Sequence, residues 1–185
     1  MNRYLKTLSR EQRRKKEVRD FLFSLFLDMQ LNNIVGLAGP NIKDYIEFCK
    51  SKGFTEFEIY EKDGLTAMHQ LIHLKDEGIQ LNLKDIIHAI PNKPSTLYDL
   101  DFCATVRYLK HHIAKFNAPF IMTFCERIAR EETISTFFDV RNETVIEERI
   151  NTHPLKHIEY ITEKGRYIFA SYRDATPMCC FAKVS

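Results

Sequence analysis

From Ile34 to Cys125, short apolar runs alternate with segments of helical period, and this alternation constrains the fold more than any other feature. Ile34-Val35-Gly36-Leu37-Ala38-Gly39-Pro40-Asn41 reads as a buried strand feeding a tight turn. Ile42–Lys52 follows as a helix with Ile42, Tyr45, Ile46 and Cys49 on one face, closed by Gly53. Phe54–Tyr60 is a second strand, and Leu65–Lys75 a helix with Leu65, Met68, Leu71 and Ile72 in register. Ile79–Ile87 and Ser95–Phe102 are the third and fourth strands, Thr105–Phe116 a helix, and Pro119–Cys125 a fifth strand. Strands that are apolar on both faces, separated by helices, build a parallel sheet covered on both sides.

The tail has a different pattern. Ile158–Thr162 and Tyr167–Tyr172 flank Glu163-Lys164-Gly165-Arg166, a hairpin signal, and Pro177 introduces a last strand over Met178–Val184. Between the two patterns, Ile128–Phe138 and Glu143–Ile150 read as helices. At the other end, Ser9 and Gln12 form a capping box for a helix running to about Gln30, with Val18, Phe21, Leu22, Leu25 and Phe26 at helical spacing. The expected fold is therefore an α/β three-layer sandwich. Its central sheet is mostly parallel, its C-terminal edge is antiparallel, and an N-terminal helix precedes it. Residues 1–30 form the basic helix packed on the body, and 31–185 the α/β domain.

Net charge is +2, but its distribution is uneven. Residues 1–20 carry eight Lys and Arg against three acids, and the remainder sums to −3. A basic leader on a mildly acidic body can grip phosphate, so Arg13, Arg14, Lys15 and Lys16 are candidate contacts to a nucleic acid. A solvated helix face is the plainer use of the same residues. Five cysteines without a CxxC pair point to reduced thiols and a cytoplasmic location rather than a disulfide or zinc framework. The apolar stretch Phe21–Leu27 is too short to cross a bilayer, so no membrane is expected.

In an open parallel sheet, ligands bind beyond the carboxyl ends of the strands. The residues just past each strand are therefore the informative ones. After strand one, the small residues Gly36, Ala38 and Gly39, with Pro40 and Asn41, let a ligand approach the backbone and the next helix N-terminus. Glu61 follows strand two, 22 residues beyond Gly39, where a carboxylate can accept both hydroxyls of a ribose. Asp85, or nearby His88, follows strand three, where an acid can accept from an adenine amino group. Asp99 and Asp101 end strand four on one side of it, and two acids inside an apolar run call for a reason.

Taken together, Gly36–Asn41, Glu61, Asp85 and Tyr98-Asp99-Leu100-Asp101-Phe102 resemble the motifs of the class I S-adenosylmethionine-dependent methyltransferases, a Rossmann-like superfamily. The resemblance covers roughly residues 32–184 and is one of order and position. It implies S-adenosylmethionine as cofactor, held by the glycine turn, by Glu61 on its ribose and by Asp85 on its adenine. It also implies Asp99, with Asp101, as the catalytic positions, Asp99 foremost. The motifs diverge. Gly36 stands where the family usually has an acid, Ala38-Gly39-Pro40 replaces its Gly-x-Gly, and no Asn/Asp-Pro-Pro-Tyr occurs. Two alternatives follow: a catalytically inactive binding or assembly subunit, or another nucleotide-using enzyme of this architecture. His69 and His73 share a helix face but lack a third ligand in the sequence, and the Asp99–Asp101 pair lacks a third acid, so no metal is expected.

Overall fold

The structure is a computed structural model that describes residues 10–75, 77, 79–86, 92–101, 118–125, 144–146, 155–162, 165–172 and 178–184. Among the described residues, three helices, α1 (Arg10–Ser24), α2 (Ile42–Ser51) and α3 (Gly64–Leu74), accompany nine strands. These are β1 (Asn33–Gly36), β2 (Glu56–Tyr60), β3 (Gln80–Asn82), β4 (Thr96–Asp101), β5 (Phe120–Cys125), β6 (Thr144–Ile146), β7 (Leu155–Thr162), β8 (Gly165–Tyr172) and β9 (Met178–Lys183). They form one sheet in the order β3-β2-β1-β4-β5-β9-β8-β7-β6.

The first five strands pair in parallel, and every pairing from β5 through β9 to β6 is antiparallel. The sheet thus has the Rossmann-like parallel half and the antiparallel C-terminal half that the two sequence patterns imply. The strand order reverses at β1, between β2 and β4, and the switch point lies there. The hairpin falls at the expected place, with Thr162 opposite Gly165.

Alternation along each strand sorts the sheet into two faces. Ile34, Gly36, Ile59, Leu97, Asp99 and Ile121 share one face by register. Val18, Leu22, Phe23 and Phe26 of α1 and Ile42, Tyr45, Ile46 and Cys49 of α2 join Ile34, Leu97 and Ile121 in one core. Phe23 meets Phe48 and Phe54 edge-on, with ring centroids 4.9 and 5.9 Å apart. The N-terminal helix is therefore part of the body's core, as its apolar second half requires.

Several elements differ from expectation, each for a local reason. α1 ends at Ser24 rather than near Gln30. There the Ser24 hydroxyl donates to the Phe21 carbonyl, and the amides of Leu25 and Phe26 bond three residues back, which tightens and stops the helix. β3 is only three residues long. Residues 144–146, expected to be helical, form β6, paired with Glu159–Ile161 of β7; Thr-Val-Ile is β-branched throughout. α3 forms, but turned from the expected face. Ala67, Gln70 and Leu74 are buried, whereas Leu65 is 80% and Ile72 74% exposed, with Met68 and Leu71 also in water. The Gln70 side-chain amide donates to the Gly39 carbonyl at 2.8 Å, which fixes the helix's rotation. The helices expected over 105–116 and 128–138, and the Ser9 cap, lie outside the described residues.

Candidate functional site

The turn after β1 stands at the carboxyl end of the parallel half, as the strand-then-glycine pattern demands. Gly39 adopts a left-handed backbone, φ +61°, which only glycine takes readily, and a Cβ there would meet nothing within 4 Å. Gly36 is different. A Cβ on it would fall 2.4 Å from the Tyr45 hydroxyl, so this glycine makes room for the chain's own tyrosine. On this side of Gly36 the space is thus occupied by the chain itself. Pro40 and Asn41 are exposed and lead into α2, where Asn41 makes no side-chain capping bond to the first turn.

Gln70 ties the turn to α3. Its amide nitrogen holds the Gly39 carbonyl, while its Oε1 is buried with no hydrogen-bond partner. A buried orphan acceptor beside an open turn, with uncapped amides at the start of α2, fits a bound polar ligand that brings its own donors and a carboxylate. Sequence reasoning missed Gln70. The signal was present, as a lone polar residue on the side of α3 opposite its apolar stripe.

Glu61 follows β2 and is half-buried; its Oε1 accepts from the Asp63 amide at 2.9 Å. Asp63 then caps α3 by accepting from the Thr66 amide and hydroxyl, which hold its carboxyl below the usual range. Asp85 follows β3, and its carboxylate lies 3.4 Å from Lys62 Nζ, just after β2. Thus the Gly39 turn, Glu61 and Asp85 lie at the same end of three adjacent strands.

The β4 acids lie at different depths. Asp99 pairs in register with Gly36 and is 1% exposed, whereas Asp101 is the last residue of the strand and reaches the surface. Asp101 thus stands at the strand end, and Asp99, the acid the sequence put foremost, lies two residues deeper. Arg19 of α1 bridges them, its Nη2 3.4 Å from an oxygen of each carboxylate. The guanidinium also lies over the Tyr45 ring, 5.2 Å from its centroid. Burial alone would lower the Arg19 pKa, but the charges of Asp99 and Asp101 outweigh it and the value is raised. Burial, then the Asp99 charge, drive Tyr45 well above an ordinary phenol and raise the Cys49 thiol. Cys49 is thus an inert core thiol. Neither Arg19 nor Tyr45 was singled out from sequence, where both look like ordinary helix residues.

Of the basic leader, Lys16 is exposed, and the side chains of Arg13, Arg14 and Lys15 lie outside the described residues. His69 and His73 stack edge-on with centroids 4.8 Å apart. Among the described residues, no group of three or more His, Cys, Asp or Glu side chains gathers as a metal site would. No helix among them is long and apolar enough to cross a membrane.

The sequence matches no protein-family profile and no curated protein. Solved structures share its fold. N-methyltransferase NodS from Bradyrhizobium japonicum is 10% identical over 91% of this chain and 96% of its own, with a TM-score of 0.52. The PH0226 protein of Pyrococcus horikoshii is 14% identical over 99% of this chain and 98% of its own, with a TM-score of 0.51. A proposed RNA methyltransferase of the same organism, PH1948, is 15% identical over 91% of this chain and 82% of its own, also at 0.51.

Proposed function

From the class I S-adenosylmethionine-dependent methyltransferase fold that the chain adopts, we propose that it is an S-adenosylmethionine-dependent methyltransferase whose acceptor is a nucleic acid. One observation carries this reading. Gly39, Glu61, Asp85 and Asp101 follow or end β1, β2, β3 and β4 at one end of the sheet, across the switch point, in the order a ribose- and adenine-bearing cofactor needs. In this reading the Gly39 turn, Ala38, Pro40, Asn41 and the first amides of α2 take the cofactor's amino-acid part, with the Gln70 acceptor beneath them. Glu61 takes the ribose and Asp85 the adenine. The cofactor supplies a methyl group on a sulfonium, so the protein's task is chiefly alignment. Asp101, at the mouth, orients the acceptor and accepts its proton. Asp99, buried behind it, sets the local charge.

The acceptor follows from charge: residues 1–20 carry a local excess of five positive charges, and Lys16 of that leader is exposed on α1. The RNA methyltransferase proposed for Pyrococcus horikoshii shares the fold and agrees with that choice.

Transfer of labelled methyl to mixed RNA, DNA and protein tests the reading. Asp101→Asn is expected to lose about 10²–10⁴ in rate, the usual cost of a missing general base. Undiminished transfer in that variant removes Asp101 from catalysis. A second reading, a non-catalytic methyltransferase-like subunit, draws on the burial of Asp99 and on the Tyr45 hydroxyl filling the space over Gly36. Cofactor binding by the wild type without transfer to any acceptor favours it.

A further inference from the structure

Helix α3 turns an apolar face to water. Of the six large hydrophobic side chains exposed among the described residues, four are on it: Leu65 at 80%, Met68 at 65%, Leu71 at 53% and Ile72 at 74%. At helical spacing these four fall in one stripe, away from the buried Ala67, Gln70 and Leu74. The bond from Gln70 to the Gly39 carbonyl holds the helix at this rotation. Single exposed apolar side chains are ordinary, but a contiguous stripe marks an interaction site.

The neighbouring helix supplies the contrast. α2 packs beside α3, and its outer side carries Lys43, Asp44, Glu47 and Lys50, all exposed. α3 carries no charged residue from Gly64 to Leu74, in a chain of which 28% is charged. Of the charges that flank it among the described residues, Lys62 pairs with Asp85 and Glu77 with Lys50. Asp63, just before the helix, and Lys75, just after it, both stand exposed. The bonds that Asp63 accepts from Thr66 hold its carboxyl below the usual range, and so ionised. α3 also joins β2 to β3, the strand at the edge of the sheet, so a second molecule can approach it from the side.

We propose that α3 is a self-association face: two copies of this chain pack their α3 stripes together, antiparallel across a two-fold axis at the level of His69. An uncharged face with an acid at one end and a base at the other is matched by itself turned round, and this selects a second copy over other occupants. Asp63 and Lys75 lie six residues to either side of His69, so the acid of each copy comes to the lysine of the other. The two helix dipoles oppose as well. Area sets the strength. A standard interface takes about 800 Å² from each partner, and one short helix offers less, so the dissociation constant falls in the micromolar range.

Sedimentation velocity of the full chain from about 1 to 200 µM tests this. The mass of the wild type is expected to move from 21.8 kDa toward twice that value. Ile72→Glu should weaken association at least about tenfold, because it puts a charge where an aliphatic group is buried. Lys75→Glu sets like charges together at Asp63 and should weaken it about threefold. Met68→Glu and Met68→Lys should each stay monomeric, and their equal mixture should regain part of the association, because beside a two-fold axis a residue meets its own counterpart. Ile72, Lys75 and Met68 are exposed in the single chain, so these variants should keep the wild-type far-UV circular dichroism. A wild type that stays monomeric at the highest concentration overturns the proposal. If it then sediments with phosphatidylcholine vesicles, the stripe belongs to a lipid surface instead. A dimer that persists in both Ile72→Glu and Met68→Glu overturns it too, because the contact then lies elsewhere. Failure of the mixture to associate overturns the two-fold arrangement.

Discussion

Asp99 and Glu58 are both buried carboxylates, one strand apart across β1, yet the protein treats them differently. Glu58 faces the opposite side of the sheet from α1 and α2. The Tyr60 hydroxyl donates to its Oε1 at 2.6 Å, Lys93 Nζ pairs with its Oε2, and the Lys93 amide donates to the Tyr98 hydroxyl at 3.1 Å. Both oxygens are claimed within a cluster that ties β2 to the turn before β4. Burial, and then the bond to Glu58, raise the Tyr60 pKa, so the phenol remains a donor. Asp99 instead shares one guanidinium with Asp101 at 3.4 Å, at the end of the sheet where ligands bind. A buried acid that closes on its own neighbours staples strands together. The Asp99–Asp101 pair stands instead at the strand end where we propose the ligand binds.

The largest expected effect breaks the stapled half. Lys93→Met leaves Glu58 buried without its cation and should cost about 3 kcal/mol, seen as a fall of about 6–12 °C in Tm. Adding Glu58→Gln should recover most of it. A drop below about 1 °C would mean that the cluster is not structural.

The next effect sharpens the description of the other half. Gly36→Ala forces a methyl against the Tyr45 hydroxyl and should cost about 1–3 kcal/mol in chemical denaturation. Tyr45→Phe removes a buried hydroxyl that lies against the Asp99 carboxylate and the Cys49 thiol, and should cost about 0.5–1.5 kcal/mol alone. In the Tyr45→Phe background the Gly36→Ala penalty should shrink. Equal penalties in both backgrounds would show that the hydroxyl is not what excludes a side chain at Gly36.

The smallest effect concerns the exposed side of α1. Lys16→Gln should lower the log–log salt slope of RNA binding by about 1 and leave sequence preference unchanged. An unaltered slope would assign Lys16 to solvent.

The parallel strands and the C-terminal hairpin were legible in the sequence because they depend on period and length, which local residues carry; the three-residue β6, read as helix, was not. Ile34–Gly36, Leu97–Asp99 and the hairpin turning at Gly165 could each be placed without knowing their neighbours. The rotation of α3 could not. Its apolar stripe argued for burial, but the Gln70 bond to Gly39, 31 residues away in sequence, decided otherwise. The proposed site divides in the same way. Glu61, Asp85, Asp99 and Asp101 could be named by counting past strand ends. Arg19 and Tyr45 come to the β4 acids only through the tertiary packing of α1 and α2, which no spacing encodes.

Calorimetric titration with S-adenosylhomocysteine tests the central claim most directly, with NAD as the comparison ligand. Saturable one-to-one binding of S-adenosylhomocysteine is expected, and none of NAD. Glu61→Ala should weaken this binding by about 10–100-fold, the loss of one charge-assisted hydrogen bond. Absence of binding by the wild type, or an affinity unchanged in Glu61→Ala, would contradict that claim.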